Sequence, residues 1–294
     1  MTKMNKNTFY FILCSIIWGT TWLVIKFQIN GPGIFAAVFY RFLIATLCMF
    51  ILTFFIKKYP MQYSIKFHII FFLHGLFNFC LNYLLTYQAE KNLNSGLVAL
   101  TFTLLIYFNM LGLKIFFKKP LSKNIIIGSI LGGAGIYLIF SKEISSQTWS
   151  SELSFGIAVS IIATFFASIG NMFAFKNHKR GIPVLVFNAY GMLYGTFCTF
   201  VLSKFFQATL DIPFQLNFIA PLLYLAVFGT VIAFWAYQTI VGTMGADRAA
   251  YTSIISPLLA VITASFFEKL AITPLMSLGI LMCLAGNFIS LKKA

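Results

Sequence analysis

Acidic residues are scarce in this chain: 6 Asp and Glu stand among 294 residues, against 21 Lys and Arg. Charge of either sign makes up only 9% of the residues, where soluble domains carry about 25%. So few charges cannot cover a water-soluble globule without leaving large apolar patches bare. The five cysteines (Cys14, Cys48, Cys80, Cys198, Cys283) all fall inside apolar runs and form no CxxC pair, which argues against a disulfide framework or a zinc site. No HExxH, GxSxG or phosphate-binding glycine loop occurs. What the chain has in excess is apolar surface: 60% hydrophobic residues, 18% aromatic, 36 of them Phe. That composition excludes disorder and points to an all-α, polytopic membrane protein.

A transmembrane helix needs about 20 mostly apolar residues to cross about 30 Å of hydrocarbon. Ten segments qualify: 8–27, 33–56, 67–89, 95–117, 124–140, 154–175, 183–203, 217–241, 249–267 and 273–291. They are continuous apolar runs, not alternating ones, so helices are expected and a β-barrel is not. The amino-terminal run follows Lys3 and Lys6 as a signal peptide would, but it lacks a small-residue cleavage site and is expected to be the first helix.

With both termini in the cytoplasm, the loops sort by charge. Fifteen Lys and Arg fall on the inner side (among them Lys57, Lys58, Lys118, Lys119, Lys179, Arg180 and Arg248) against five on the outer: Lys26, Lys91, Lys142, Lys204 and Lys269. This is the bias of the positive-inside rule. The formal net charge of +15 is thereby explained by topology and by attraction to anionic lipid, and a nucleic-acid partner is not expected. The expected partners are a small-molecule substrate and membrane lipids, with a homodimer allowed; no cofactor or metal is expected.

The chain also repeats itself. Tyr87-Gln88 recurs as Tyr237-Gln238 and Lys26 as Lys176, each 150 residues on. Pro32 pairs with Pro183, Gly128 with Gly279 and Gly135 with Gly286 at 151. Five helices is an odd number, so the second copy must be inserted upside down, the arrangement of transporters that bind substrate between their halves near the midplane. The expected domains are two inverted five-helix repeats, 1–146 and 147–294.

These residues also carry a family resemblance. Trp18-Gly19-Thr20-Thr21, Pro32 leading to Arg41, Gly245-Ala246-Asp247-Arg248-Ala249, Pro257, Glu268-Lys269-Leu270 and the stretch from Gly279 to Gly286 follow one another in order. Over its full length the chain resembles the EamA-type ten-helix members of the drug/metabolite transporter superfamily. The resemblance implies a bacterial inner-membrane transporter, many of whose relatives export amino acids or related metabolites. The first half departs from the pattern: Tyr107 and Lys118 stand where the second has Pro257 and Glu268. Helix 4 is therefore expected to lack the proline kink of helix 9.

Polar side chains inside spans are costly and mark candidate sites. Arg41 can attract a carboxylate or phosphate, or it can cap carbonyls or snorkel. His74, Asn78 and Asn82 are spaced to share one face of helix 3, with Tyr87 and Gln88 beyond them; such a stripe lines a pathway or ties helices together. Trp18 and Thr20 on helix 1 and Trp235 and Gln238 on helix 8 suit a cavity wall with sparse polar groups; aromatic packing or an interfacial belt is the alternative, preferred for Trp22. Tyr251, Thr252 and Ser256 stand close to Pro257, the expected helix kink, whose freed carbonyls need partners. Asn171 completes the substrate-binding candidates, and no catalytic residue is expected. No Asp or Glu is expected inside a span, which leaves His74 as the titratable group for any proton coupling.

The function expected is secondary transport of a small metabolite, an amino acid or a related compound, by alternating access and in the export direction. The alternative is an intramembrane enzyme acting on a lipid-linked substrate, for which the sequence offers no motif. A channel is disfavoured because nothing resembles a filter or charged ring.

Overall fold

The computed structural model describes residues 6–29, 31, 33–56, 59–141, 150–244 and 252–291. Among them the secondary structure is helical, with no strand. In chain order, α1 is Lys6–Ile29, α2 is Ile34–Ile51 extended by a π-helical stretch Leu52–Ile56, α3 is Ile65–Asn92 and α4 is Ser95–Phe117. Then come α5 (Lys123–Ile139), α6 (Ser151–Lys179) and α7 (Val184–Phe205). The run α8 is α-helical over Leu216–Leu223 and Ala233–Met244 with π geometry between, and α9 (Thr252–Phe267) and α10 (Pro274–Leu291) follow. Seven helices (α1 to α4 and α6 to α8) are long and apolar enough to cross a membrane, and three shorter apolar ones accompany them. This is a multi-pass membrane protein.

Helix boundaries follow local chemistry. Gly33, with φ of 104°, lets the chain turn into α2 where a Cβ would be strained. Gly181, with φ of 72°, ends α6, and Pro183 caps the start of α7, a position that needs no backbone N–H.

The interior is mostly apolar with polar groups set among it, and the outer surface is apolar as well. Ile130, Phe197, Phe266 and Leu281 point outward, where lipid solvates them, and small or hydroxyl residues let helices approach. Helices α5 and α10 pair through reciprocal glycines. A Cβ on Gly135 would lie 2.6 Å from the Gly279 carbonyl oxygen, and one on Gly279 would lie 2.6 Å from that of Gly135. Gly128 and Gly286 face each other in the same way. Helices α2 and α7 meet where the Thr46 and Thr196 hydroxyls stand 3.5 Å apart.

Three π-helical stretches interrupt the rods: Leu52–Ile56, Leu76–Leu81 within α3 and Tyr224–Ile232 within α8. Each widens its helix and re-aims the side chains beyond it. Helix α4, which lacks the proline, is not regular either: a 3-10 turn at Phe102–Leu104 breaks it halfway. Pro257 lies inside α9.

Candidate functional site

A cavity of about 230 Å³ lies between α1, α2, α3, α4, α6, α8 and α9. On α1, Trp18, Thr21, Trp22 and Ile25 share one face at helical spacing and line it together. On α8, Phe234 and Tyr237 complete an aromatic wall with Trp18, at ring-centroid distances of 5.6 and 5.1 Å. Trp22 packs edge-on to Phe102 at 4.8 Å, inside the 3-10 turn of α4. The polar lining comes from Asn78, Asn82 and Thr86 on α3, Asn171 on α6 and Ser256 beside Pro257 on α9.

Arg41 reaches this cavity from α2 although the residue is only 1% exposed. Its Nε donates to the Thr230 hydroxyl at 3.3 Å and its Nη1 to the Tyr87 hydroxyl at 3.3 Å. The guanidinium lies over the Tyr83 ring, 4.7 Å from the centroid, a favourable cation–π placement. Thr230 is free to accept because its own proton goes to the Leu225 carbonyl, 2.8 Å away and five residues back in the π stretch. Tyr87 passes its proton on to Gln28 Oε1 at 2.8 Å. No carboxylate among the described residues forms an ion pair with Arg41. Its Nη2 abuts Gly229, a cavity-lining residue on which a Cβ would stand 3.6 Å away.

Of the residues singled out in the sequence, Trp18, Arg41, Asn78, Asn82, Asn171, Ser256 and Pro257 line the cavity. Asn171 also donates to Asn109 Oδ1 at 3.3 Å. Others lie off it. Thr20 points away from the stripe formed by Trp18, Thr21 and Trp22, toward α8, where its hydroxyl is 2.7 Å from that of Tyr224. Trp235 faces outward, 38% exposed and edge-on to Tyr10. Tyr87 is buried behind Arg41, while Gln88 and Thr252 are absent from the cavity wall. The side chain of Gln238 and the whole of Tyr251 lie outside the described residues.

His74 is the clearest departure. It is buried away from the cavity and bridges three helices, with Nδ1 donating to the Gly170 carbonyl at 3.1 Å and Nε2 3.1 Å from the Asn188 amide. The expected His74–Asn78–Asn82 stripe assumes regular α geometry. The π stretch Leu76–Leu81 rotates the helix between His74 and Asn82, so one turn faces α6 and α7 and the next faces the cavity. Trp22 packs against the Phe102 ring, the aromatic packing expected of it, and also lines the cavity.

Sequence reasoning missed Tyr83, Thr86, Phe102 and Gly229 as lining residues, and it placed Glu90 with the outer loop charges. Glu90 is in fact the antepenultimate residue of α3 and fully buried. Helix 3 runs three residues longer than its apolar stretch suggests, because Lys26 holds its last carbonyls: its ammonium donates to the carbonyls of Glu90 and, at 2.9 Å, of Leu93.

Among the described residues no cluster of His, Cys, Asp or Glu could hold a metal ion. The site is thus an apolar, aromatic-walled chamber with a few amides and a cation that forms no ion pair among the described residues, suited to holding a small molecule.

Known proteins resemble the chain over its whole length. Protein PagO of Salmonella typhimurium is 25% identical, covering 96% of this chain and 91% of its own. A probable amino-acid metabolite efflux pump of the same organism is 22% identical (97% and 95% covered), and a protein of that description from Escherichia coli is 21% identical (97% and 95%). A solved crystal structure superimposes with a TM-score of 0.69 at 14% identity, over 96% of this chain and 95% of that one. The profile of the EamA-like transporter family matches residues 6–141 and again 154–292, so the chain is a membrane transporter that belongs to the EamA-like transporter family.

Proposed function

We propose that this protein is a secondary transporter that moves a small carboxylate-bearing metabolite, an amino acid or a close relative, out of the cell by alternating access. The observation that carries the reading is Arg41: a buried guanidinium that forms no ion pair among the described residues, with Nη2 at the wall of an aromatic chamber. A buried cation is costly unless paired, and a substrate carboxylate is the missing partner. The chamber volume of about 230 Å³ suits a small metabolite, and the amides of Asn78, Asn82 and Asn171 offer acceptors for an ammonium group. The printed description of two relatives as amino-acid metabolite efflux pumps favours the same class.

The architecture is ten spans in two inverted five-helix repeats, 1–146 and 147–294. The two separate matches to one family profile support this division. So do the reciprocal glycines of α5 and α10 and the meeting of Thr46 with Thr196, residues 150 apart, as a twofold axis between the halves would produce. The loop charges favour the inner membrane of a bacterium with both termini in the cytoplasm. Substrate binds as carboxylate on Arg41 with its apolar part against Trp18, Phe234 and Tyr237.

The test is counterflow in proteoliposomes loaded with unlabelled amino acids and presented with a labelled mixture. Saturable exchange of at least one amino acid, competed by its free-acid analogues, is expected. Conversion of the labelled compounds without exchange would replace transport by enzymatic chemistry.

A further inference from the structure

Where α1 and α3 end and α4 begins, a carboxyl group is shut inside the protein. Glu90 is 0% exposed, and neither of its oxygens meets a hydrogen-bond donor among the described residues. Among the described residues, the charges that act on it come from three neighbouring elements. From α1 comes Lys26, whose ammonium is directed to the carbonyls of Glu90 and Leu93 and not to the carboxyl. From α2 comes Arg41, engaged by Thr230 and Tyr87. From the end of α9 comes Glu268, whose carboxylate accepts from the Ser95 N–H at 3.1 Å and from the Ser95 hydroxyl at the start of α4. Tyr83 and Tyr87 precede Glu90 on α3 itself. Helix α6, packed along α3, brings to this end only Glu152, which is exposed, as is the neighbouring Lys91.

This arrangement has a consequence for ionisation. A carboxylate needs donors, and here the nearby cations donate elsewhere while Glu268 adds negative charge. The same contacts seal this end: Lys26 ties α1 to α3, and Ser95 ties α4 to α9. An ionisable group inside a membrane protein is a candidate for function.

We propose that Glu90 is a proton-binding site that locks this end of the transporter. It is a neutral acid while the Lys26 and Ser95–Glu268 contacts are made, and it gives up its proton when they part. The step is Glu90–COOH + H2O → Glu90–COO⁻ + H3O⁺: water entering the opened seam takes the proton, and Lys26, released from its carbonyls, stands beside the new carboxylate. Resealing takes one proton back. Opening of this end is thereby linked to pH, and the open-to-sealed ratio rises up to about tenfold per pH unit for one proton released. The inference takes from the transport reading only that α1, α3, α4 and α9 move relative to one another.

The experiment needs no substrate, so it stands or falls apart from the transport assay. Spin labels are placed on the exposed ends of α3 and α9 through Lys91→Cys and Lys269→Cys in the full chain, with the half-buried Cys48 replaced by Ser. Distance distributions in lipid nanodiscs are then recorded across roughly pH 5 to 9. The unmutated Glu90 protein should shift from short to long distances as pH rises. Glu90→Gln, a neutral isostere, should stay short throughout, and Glu90→Asp should restore the response. A Glu90→Gln protein that tracks the Glu90 protein, or a Glu90 protein indifferent to pH, overturns the proposal. A second measurement covers the case in which Glu90→Gln does not fold. Infrared pH-difference spectra of the unmutated chain should contain the high-frequency C=O band of an acid without hydrogen bonds, and its absence at every pH equally overturns the lock.

Discussion

Replacing Arg41 by Gln removes a cation at the chamber wall, and its effect can be worked from the geometry. A guanidinium has five N–H donors, of which Thr230 and Tyr87 engage one each. Nη2, next to Gly229, has two N–H groups to offer a substrate carboxylate. Charge-assisted hydrogen bonds are worth about 1.5–3 kcal/mol each, and the single neutral amide donor of Gln returns about 0.5–1.5 kcal/mol. For the two bonds the net loss is ~2.5–4.5 kcal/mol, or roughly 60- to 1,600-fold in affinity. The assay is competition of counterflow in proteoliposomes by a transported amino acid and by its methyl ester. The wild type should prefer the free acid by about that factor. Arg41→Gln should be nearly indifferent to esterification, and Arg41→Lys, which keeps the charge but not the fork, should fall between them. Monodispersity on size exclusion checks that each variant is folded. An Arg41→Gln protein that still discriminates acid from ester as the wild type does would refute the placement of the carboxylate on Arg41, whatever the absolute rates.

His74 is a helix tie rather than a pathway residue, so His74→Gln should cost about 1–3 kcal/mol of stability. It should lower the thermal midpoint while leaving the substrate KM and the pH profile of transport in place; a lost pH response would contradict this. Gly135→Val drives a side chain into the Gly279 carbonyl, 2.6 Å from an ideal Cβ, and should destabilise by about 1–3 kcal/mol in thermal unfolding. Gly133→Ala, which meets nothing within 4 Å, is its silent control. Trp18→Ala removes part of the chamber wall and should raise KM roughly tenfold, the worth of an aromatic contact of about 1–1.5 kcal/mol. Trp235→Ala, on the outward face, should leave KM unchanged, and equal effects of the two would displace the substrate from the chamber.

The membrane class, most of the helix ends and the family were legible in the sequence because they depend on short-range facts. Apolar runs must be about 20 residues long to span hydrocarbon, glycine and proline punctuate helices at Gly33, Gly181 and Pro183, and the family's motifs lie in linear order. Part of the chamber was legible too. Trp18, Arg41, Asn78, Asn82, Asn171 and Ser256 were singled out because polar and aromatic side chains in apolar spans need a reason to be there.

Other features were not legible, because they depend on how one helix is distorted by the next. Nothing in the local sequence announces the π stretch that turns His74 away from Asn78, or the one that frees Thr230 to hold Arg41. Thr20 and Trp235 belong to the right helices but to the wrong faces, and a face is assigned only when a neighbour packs on it. Glu90 reads as a loop charge until Lys26, distant in sequence, extends the helix that carries it and the ends of α4 and α9 close over it. That this chain lies in a membrane, and to which family it belongs, follows from hydrophobic length and motif order, which are properties of the chain alone. Which polar groups face the chamber, which tie helices together and which carboxyl is shut away from water were decided by tertiary structure, because burial and hydrogen-bond partners exist only once separate helices meet.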